Sequence, residues 1–121
     1  MTATVLVVED EVDLLFTISL SLELSGYRVL KAASGEEALE VVDKERPDAV
    51  VLDIRLPGID GWEVLNRLRD RGHFPATPVV LLSAQVDAAT AARAVELGCH
   101  AHLAKPFSIS ELSGVLRDLL D

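Results

Sequence analysis

The sequence predicts an α/β domain built on a doubly wound, five-stranded parallel sheet. Three observations carry this. The apolar runs Val5–Val8, Ala49–Leu52 and Val79–Leu82 are continuous rather than alternating, as in strands covered on both faces. Longer amphipathic stretches lie between such runs, bounded by helix start and stop signals. The 121 residues are a common length for one domain around one core, so residues 1–121 are read as a single domain. Strands alternating with helices join in parallel, with helices packed on both faces.

Each element follows from local chemistry. Thr4–Val8 is a buried strand ended by two acids. Glu11–Ser25 is a helix stopped by Gly26, a left-handed C-terminal signal. Its segment Ile18–Leu24 alternates apolar and polar, which alone reads as a strand. The stretch has no internal breaker and is too long for one strand, so the helix is kept. Arg28–Ala33 is the second strand. Ser34-Gly35-Glu36-Glu37 is a capping box opening a helix to about Arg46, with Pro47 as the break. Asp48–Asp53 is the third strand, and a loop with Pro57, Gly58 and Gly61 follows. Trp62–Arg71 is helical and ends at Gly72. Pro78–Ser83, Asp87–Leu97 and His100–Ala104 are strand, Ala-rich helix and short strand. Ser108-Ile109-Ser110-Glu111 opens the last helix, whose Leu112, Val115, Leu116 and Leu119 have the spacing of a buried stripe.

Composition excludes several classes. Half the residues are apolar, too many for a disordered chain. No apolar run approaches the roughly 18 residues a membrane span needs. The N-terminus lacks the basic region of a secretory signal. The single cysteine, Cys99, permits no internal disulfide and no cysteine metal cluster, and a reducing cytoplasm is the expected location. Eleven basic against 20 acidic residues leave a net charge of −9, which disfavours direct binding to nucleic acid or to anionic membranes.

In open α/β sheets, ligands bind beyond the carboxyl ends of the strands. Glu9 and Asp10 follow the first strand, Asp53 ends the third, Ser83 ends the fourth and Lys105 follows the fifth. Each alone has an ordinary explanation as a cap, a loop residue or a solvated side chain. Together, at four strand ends, they make a kit for a phosphoryl group. Three carboxylates need a cation or protons to coexist. Oxygen ligands without His or Cys favour Mg²⁺. Lys105 supplies a point charge for an anion, and an Asp can act as the nucleophile that forms an acyl phosphate.

Here the chain resembles the receiver domain of bacterial two-component response regulators, over essentially its whole length. The matching pieces are Val7-Val8-Glu9-Asp10-Glu11, Asp53-Ile54-Arg55-Leu56-Pro57-Gly58-Ile59-Asp60-Gly61, Leu82-Ser83-Ala84 and Lys105-Pro106-Phe107. The resemblance implies a flavodoxin-like fold with strand order 2-1-3-4-5. It implies Asp53 as phosphoacceptor, Glu9, Asp10, Asp53 and the Arg55 backbone carbonyl around Mg²⁺, and Ser83 and Lys105 on the phosphoryl group. It also implies a cis Lys105–Pro106 peptide. The phosphoryl group would come from a sensor histidine kinase or phosphotransfer protein. The output would go to an effector domain, a downstream protein or a phosphorylation-dependent homodimer. The expected chemistry is self-phosphorylation and self-dephosphorylation, without turnover of an outside substrate.

Some positions depart from the family pattern or tune it. His102 stands where the family usually has Tyr or Phe as a switch; either it merely fills that slot as a partly exposed ring, or its orientation reports phosphorylation, with pH sensitivity added by an imidazole. Arg55 and Gln85 flank the phosphoryl position and are expected to tune its lifetime. Arg55 either pairs with Glu9 in the resting state or is solvated. On the first helix Leu14, Leu15, Ile18 and Leu22 form the core stripe, while Phe16, Leu20 and Leu24 point elsewhere. Either neighbouring helices cover these, above all Leu24, or Phe16 and Leu20 form an exposed patch for a partner helix. In the family this helix is where the kinase's histidine-bearing domain docks. Cys99 reads as a small core residue, His73 and His100 lack metal-ligand spacing, and Trp62 packs or caps at the start of its helix.

Three rival readings fit the sequence less well. A haloacid-dehalogenase-type phosphatase wants Asp-x-Asp after its first strand, whereas Asp53 ends the third and Arg55 stands two residues on. A flavodoxin wants a Ser/Thr/Gly phosphate loop after the first strand, which is absent. A degenerate, phosphate-independent receiver acting as a protein-binding module would have lost site residues, and all are present.

Overall fold

The computed structural model describes residues 2–72, 77–84 and 87–120. His73 and Gln85 lie outside the described residues. The elements run β1 (Thr4–Val8), α1 (Val12–Leu24), β2 (Arg28–Ala32), α2 (Gly35–Lys44), β3 (Ala49–Asp53), α3 (Gly61–Asp70), β4 (Val79–Ser83), α4 (Ala88–Glu96), β5 (Ala101–Ala104) and α5 (Ile109–Leu120). The expected five strands and five helices are all present, and their ends shift by one or two residues because caps and frayed turns belong to neither state.

The strands lie in the order β2-β1-β3-β4-β5, and every neighbouring pair is parallel. Alternate strand residues face opposite cores, which is why the runs are continuous. Leu6, Val8, Val50, Leu52, Val79 and Leu81 pack against Ala38, Leu39 and Val42 of α2, Val64, Leu65 and Leu68 of α3, and Ala94 of α4. Val5, Val7, Ala49, Val51, Val80 and Leu82 pack against Ile18 and Leu22 of α1 and Leu112 and Leu116 of α5. The segment Ile18–Leu24 is helical, as its unbroken length required.

Helix starts carry the expected caps. Ser34 Oγ accepts the Glu37 N–H, and Asp60 and Asp87 accept from Glu63 and Thr90. The Ser108 box is reciprocal, with the Glu111 N–H donating to Ser108 Oγ and the Ser108 N–H to Glu111 Oε1. In the Ser34 box the Glu37 carboxylate takes the Ala33 N–H instead, at 3.4 Å. α1 starts at Glu11 without a side-chain cap. Its placement therefore rests on its apolar face. Gly26 ends the turn after α1 at φ 100°, a conformation open to glycine at little cost.

Candidate functional site

The carboxyl edge of the sheet gathers the polar side chains. The parallel register sets Val8 beside Leu52, Asp53 beside Leu82 and Ser83 beside Ala104. Residues that leave these strand ends therefore converge. Glu9 is 1% exposed, Asp53 4% and Ser83 8%, while Asp10 is open to solvent. Oxygens of Glu9, Asp10 and Asp53 lie within 4.8 Å of one another.

Lys105 sits between the two buried acids. Its Nζ donates to Glu9 Oε1 at 2.6 Å and to Asp53 Oδ2 at 2.7 Å. The other Asp53 oxygen, Oδ1, accepts the Arg55 N–H at 3.0 Å, and Glu9 Oε2 accepts the Glu11 N–H at 3.3 Å. The backbone fixes these groups in turn. The Glu9 N–H bonds to the Ala32 carbonyl, the Ile54 N–H to Leu82 and the Lys105 N–H to Ser83. The Lys105–Pro106 peptide is cis.

One ammonium does not balance the three carboxylates at this edge. Burial, with a further push from Asp53, raises the Glu9 carboxyl to about 7 against the pull of Lys105. Burial alone would lower the Lys105 ammonium. The Asp53 and Glu9 carboxylates outweigh it and hold Lys105 above its ordinary value. A divalent cation fits this donor set: hard oxygens, no His or Cys, and surplus negative charge at a partly open edge.

Gly61 also belongs to the site. A Cβ placed there would sit 2.6 Å from the Asp53 carbonyl oxygen and 2.7 Å from Ile54 Cα, so the start of α3 is pressed directly on the end of β3. The Gly61 N–H closes the loop on the Ile54 carbonyl at 2.8 Å. The sequence signals a turn at Gly61 but does not reveal this close approach.

The chain also matches known proteins. The family model of the response regulator receiver domain matches residues 5–117. The chain belongs to the response regulator receiver family. As a receiver domain of two-component systems it is a phosphorylation-dependent signalling switch, a class that is generally not enzymatic.

Among relatives of this receiver, it is 37% identical over 120 residues to the alkaline phosphatase synthesis transcriptional regulatory protein PhoP of Bacillus subtilis, covering 99% of this chain and 49% of that protein. It is 40% identical over 116 residues to the transcriptional regulatory protein PrrA of Mycobacterium bovis, covering 96% and 49%. The chain thus spans about half the length of these curated relatives. Among solved structures, the chemotaxis response regulator CheY4 of Vibrio cholerae superposes with a TM-score of 0.92 at 29% identity, covering 99% of this chain and all of that one. The Francisella response regulator 1452 receiver domain gives 0.92 at 31%, covering 98% and 97%.

The remaining candidate residues lie on several elements of the fold. Arg55 is exposed, and its side chain makes no ion pair with Glu9. Lys105 takes that carboxylate instead. His102 lies beside Leu81 in the sheet. Its ring is half-buried, and its Nε2 is buried without a partner among the described residues. On α1, Phe16 is 61% exposed, Leu20 44% and Leu24 81%, so no neighbouring helix covers them. Val12 joins them at 75%, and the four recur every fourth residue as one apolar ridge. Cys99 packs half-buried against the α2–α4 core, and burial pushes its thiol up to about 11. Among the described residues no helix is long and apolar enough to cross a membrane.

Proposed function

We propose that Asp53 is the phosphoacceptor, and that the domain takes a phosphoryl group from the phosphohistidine of a sensor histidine kinase or phosphotransfer protein. The observation that carries this reading is the Lys105 ammonium bridging buried Glu9 and Asp53 beside Asp10. A carboxylate oxygen of Asp53 attacks phosphorus, the N–P bond breaks, and the departing imidazole nitrogen keeps the electron pair and takes a proton. Lys105 holds the nucleophile in place and offsets the charge that builds on the phosphoryl oxygens. The Ser83 hydroxyl, at the end of the neighbouring strand, donates to the new phosphoryl group.

Mg²⁺ is the cation that suits this site. Glu9, Asp10, Asp53 and the Arg55 carbonyl would hold it, and when bound it supplies charge neutralisation and orientation of the phosphoryl oxygens. Phosphorylation then biases the domain between two conformations read at α4, β5 and α5. His102 sits at the switch position, and Arg55 and Gln85 tune the phosphoryl lifetime. The chemistry stays on the domain itself, as self-phosphorylation and self-dephosphorylation. The α1 ridge around Phe16 and Leu20 serves as the docking face for the kinase's helices, and an effector or downstream protein reads the output in the cytoplasm.

The test is intact mass after incubation with Mg²⁺ and a small acyl phosphate, with Asp53→Asn alongside. A single phosphoryl gain in the wild type only, abolished by chelator, is expected. A gain in both proteins overturns Asp53 as acceptor. A gain in neither, with transfer from a kinase also absent, favours a phosphate-independent binding module.

A further inference from the structure

α4 is the helix least anchored by apolar packing. Of its nine residues only Ala94 is buried, whereas the ten-residue helices α2 and α3 bury four and five. Val95 points outward at 76% exposure, and Ala88, Ala89, Ala91 and Ala92 each have only a methyl to offer a core. Two arginines cross between α3 and α4 instead. Arg93 of α4 lays its guanidinium over the Trp62 ring, 4.4 Å from the centroid. Arg69 of α3 donates through Nη2 to the Leu97 carbonyl at the end of α4, at 3.2 Å.

The Trp62 ring is a fixed anchor. It is 8% exposed and directly follows Gly61, which is pressed on the Asp53 carbonyl. A short, stiff path therefore runs from the end of β3 through Gly61 and Trp62 to Arg93. The N-terminal half of α4, Ala88–Ala92, lies ahead of both arginine contacts. Its start is held by the Asp87 carboxylate, which accepts the Thr90 N–H at 2.7 Å.

We infer that the Arg93–Trp62 stack is a strap that holds α4 to the end of β3 and sets how readily α4 moves when Asp53 is modified; the second clause rests on the reading of Asp53 above. A guanidinium over an indole face at an exposed site shifts an equilibrium roughly two- to fivefold. That is small beside a well-packed helix, but it counts for a helix whose one fully buried residue is an alanine. The strap acts on α4 alone, because Trp62 is fixed from the side of β3 whatever Arg93 does.

Hydrogen exchange of this chain, read by mass spectrometry, tests the strap in the unmodified protein. Arg93→Ala removes it while installing the best helix former, so faster exchange cannot come from weaker helix propensity. The expected result is roughly two- to fivefold faster exchange across Ala88–Glu96, with α1 and α5 unchanged. Trp62→Leu should speed α4 similarly, and Arg93→Ala should add nothing in that background. Unchanged α4 exchange in Arg93→Ala, or additive effects of the two substitutions, overturns the strap.

A second arm adds Mg²⁺ and beryllofluoride, an acyl-phosphate mimic. The wild type should gain exchange in α4, and Arg93→Ala should gain less because its strap is already gone. Equal gains overturn the coupling. Absence of a phosphoryl group on Asp53, read separately by intact mass, overturns the Asp53 reading and the coupling with it. The strap itself is then still decided by exchange in the unmodified protein.

Discussion

Lys105 and Glu9 stand 96 positions apart in the chain and meet at 2.6 Å, Nζ to Oε1. The same ammonium holds Asp53, so two buried carboxylates depend on one cation. Lys105→Met keeps the stem and removes the charge. In chelator at pH 8 it should cost about 2–3 kcal/mol, less than a fully buried pair because the edge is partly open to water. At pH 5.5 the loss should shrink, since a carboxyl can then take a proton. Chemical denaturation at both pH values checks this. Equal losses would mean that Lys105 acts by packing.

Glu9 gives the metal-free domain a pH slope. Its carboxyl titrates at about 7 in the folded protein against 4.5 ordinarily, so the folded state holds this proton more tightly than the unfolded chain does. The stabilisation from this group is complete below pH 4.5 and is lost as pH rises through 7, on the order of 3 kcal/mol across the window. Glu9→Gln should flatten that slope. Mg²⁺ competes with the same proton, so wild-type Mg²⁺ affinity should climb between pH 6 and 8 while the variant stays flat. Denaturation and Mg²⁺ titration in the two proteins measure both effects.

Gly61→Ala sets a methyl 2.6 Å from the Asp53 carbonyl oxygen. Backbone atoms cannot swing aside as a side-chain tip does, so the loop must shift. A stability loss of about 1–3 kcal/mol is expected, together with slower labelling of Asp53 by a small phosphodonor. Normal labelling would show that the loop tolerates the shift.

Leu20→Lys places a charge in the middle of the α1 ridge. Leu20 is 44% exposed, so stability should change by less than about 0.5 kcal/mol. Labelling by a small phosphodonor should be normal, and transfer from the kinase should fall at least tenfold. Normal transfer from the kinase would remove α1 from the docking face.

His102→Phe keeps a ring of similar shape and deletes the buried Nε2 that has no partner among the described residues. A gain of about 1 kcal/mol at pH 8 is expected. Partner binding by the phosphorylated domain across pH 6–8 then separates stability from signalling. Identical pH profiles in the two proteins would leave His102 a plain filler of its slot.

Much of this architecture is legible in the residues because a doubly covered strand leaves a local trace. Val5–Val8 must be apolar throughout when alternate residues enter different cores. Gly26, Ser34 and Ser108 mark helix ends through their own backbone and hydroxyl chemistry. The order of strands leaves no such trace and follows only from the resemblance. The strand ends named the site residues, but not which would touch. Lys105 reads in the sequence only as a charge for an anion, and its pairing with Glu9 appears only once β1 and β5 stand in the same sheet. Gly61 against the Asp53 carbonyl and Arg93 over Trp62 are contacts of three-dimensional proximity with no periodicity behind them. Exposure on α1 was undecidable from the helical wheel, because a wheel shows which residues share a face and not whether a neighbour covers it.

The two outer strands of the sheet have a further consequence. β2 and β5 each leave one side of their backbone unpaired within the sheet, and such edges invite strand addition by another chain. β2 carries the exposed Lys31 and Arg28, the latter paired with Glu45, and charged side chains on an edge strand disfavour stacking a second copy there. β5 is only four residues long, and two positions beyond its end stands Pro106, which has no N–H to offer a ladder. The sheet that concentrates reactive groups on one rim thus also guards its open sides against growth into fibrils.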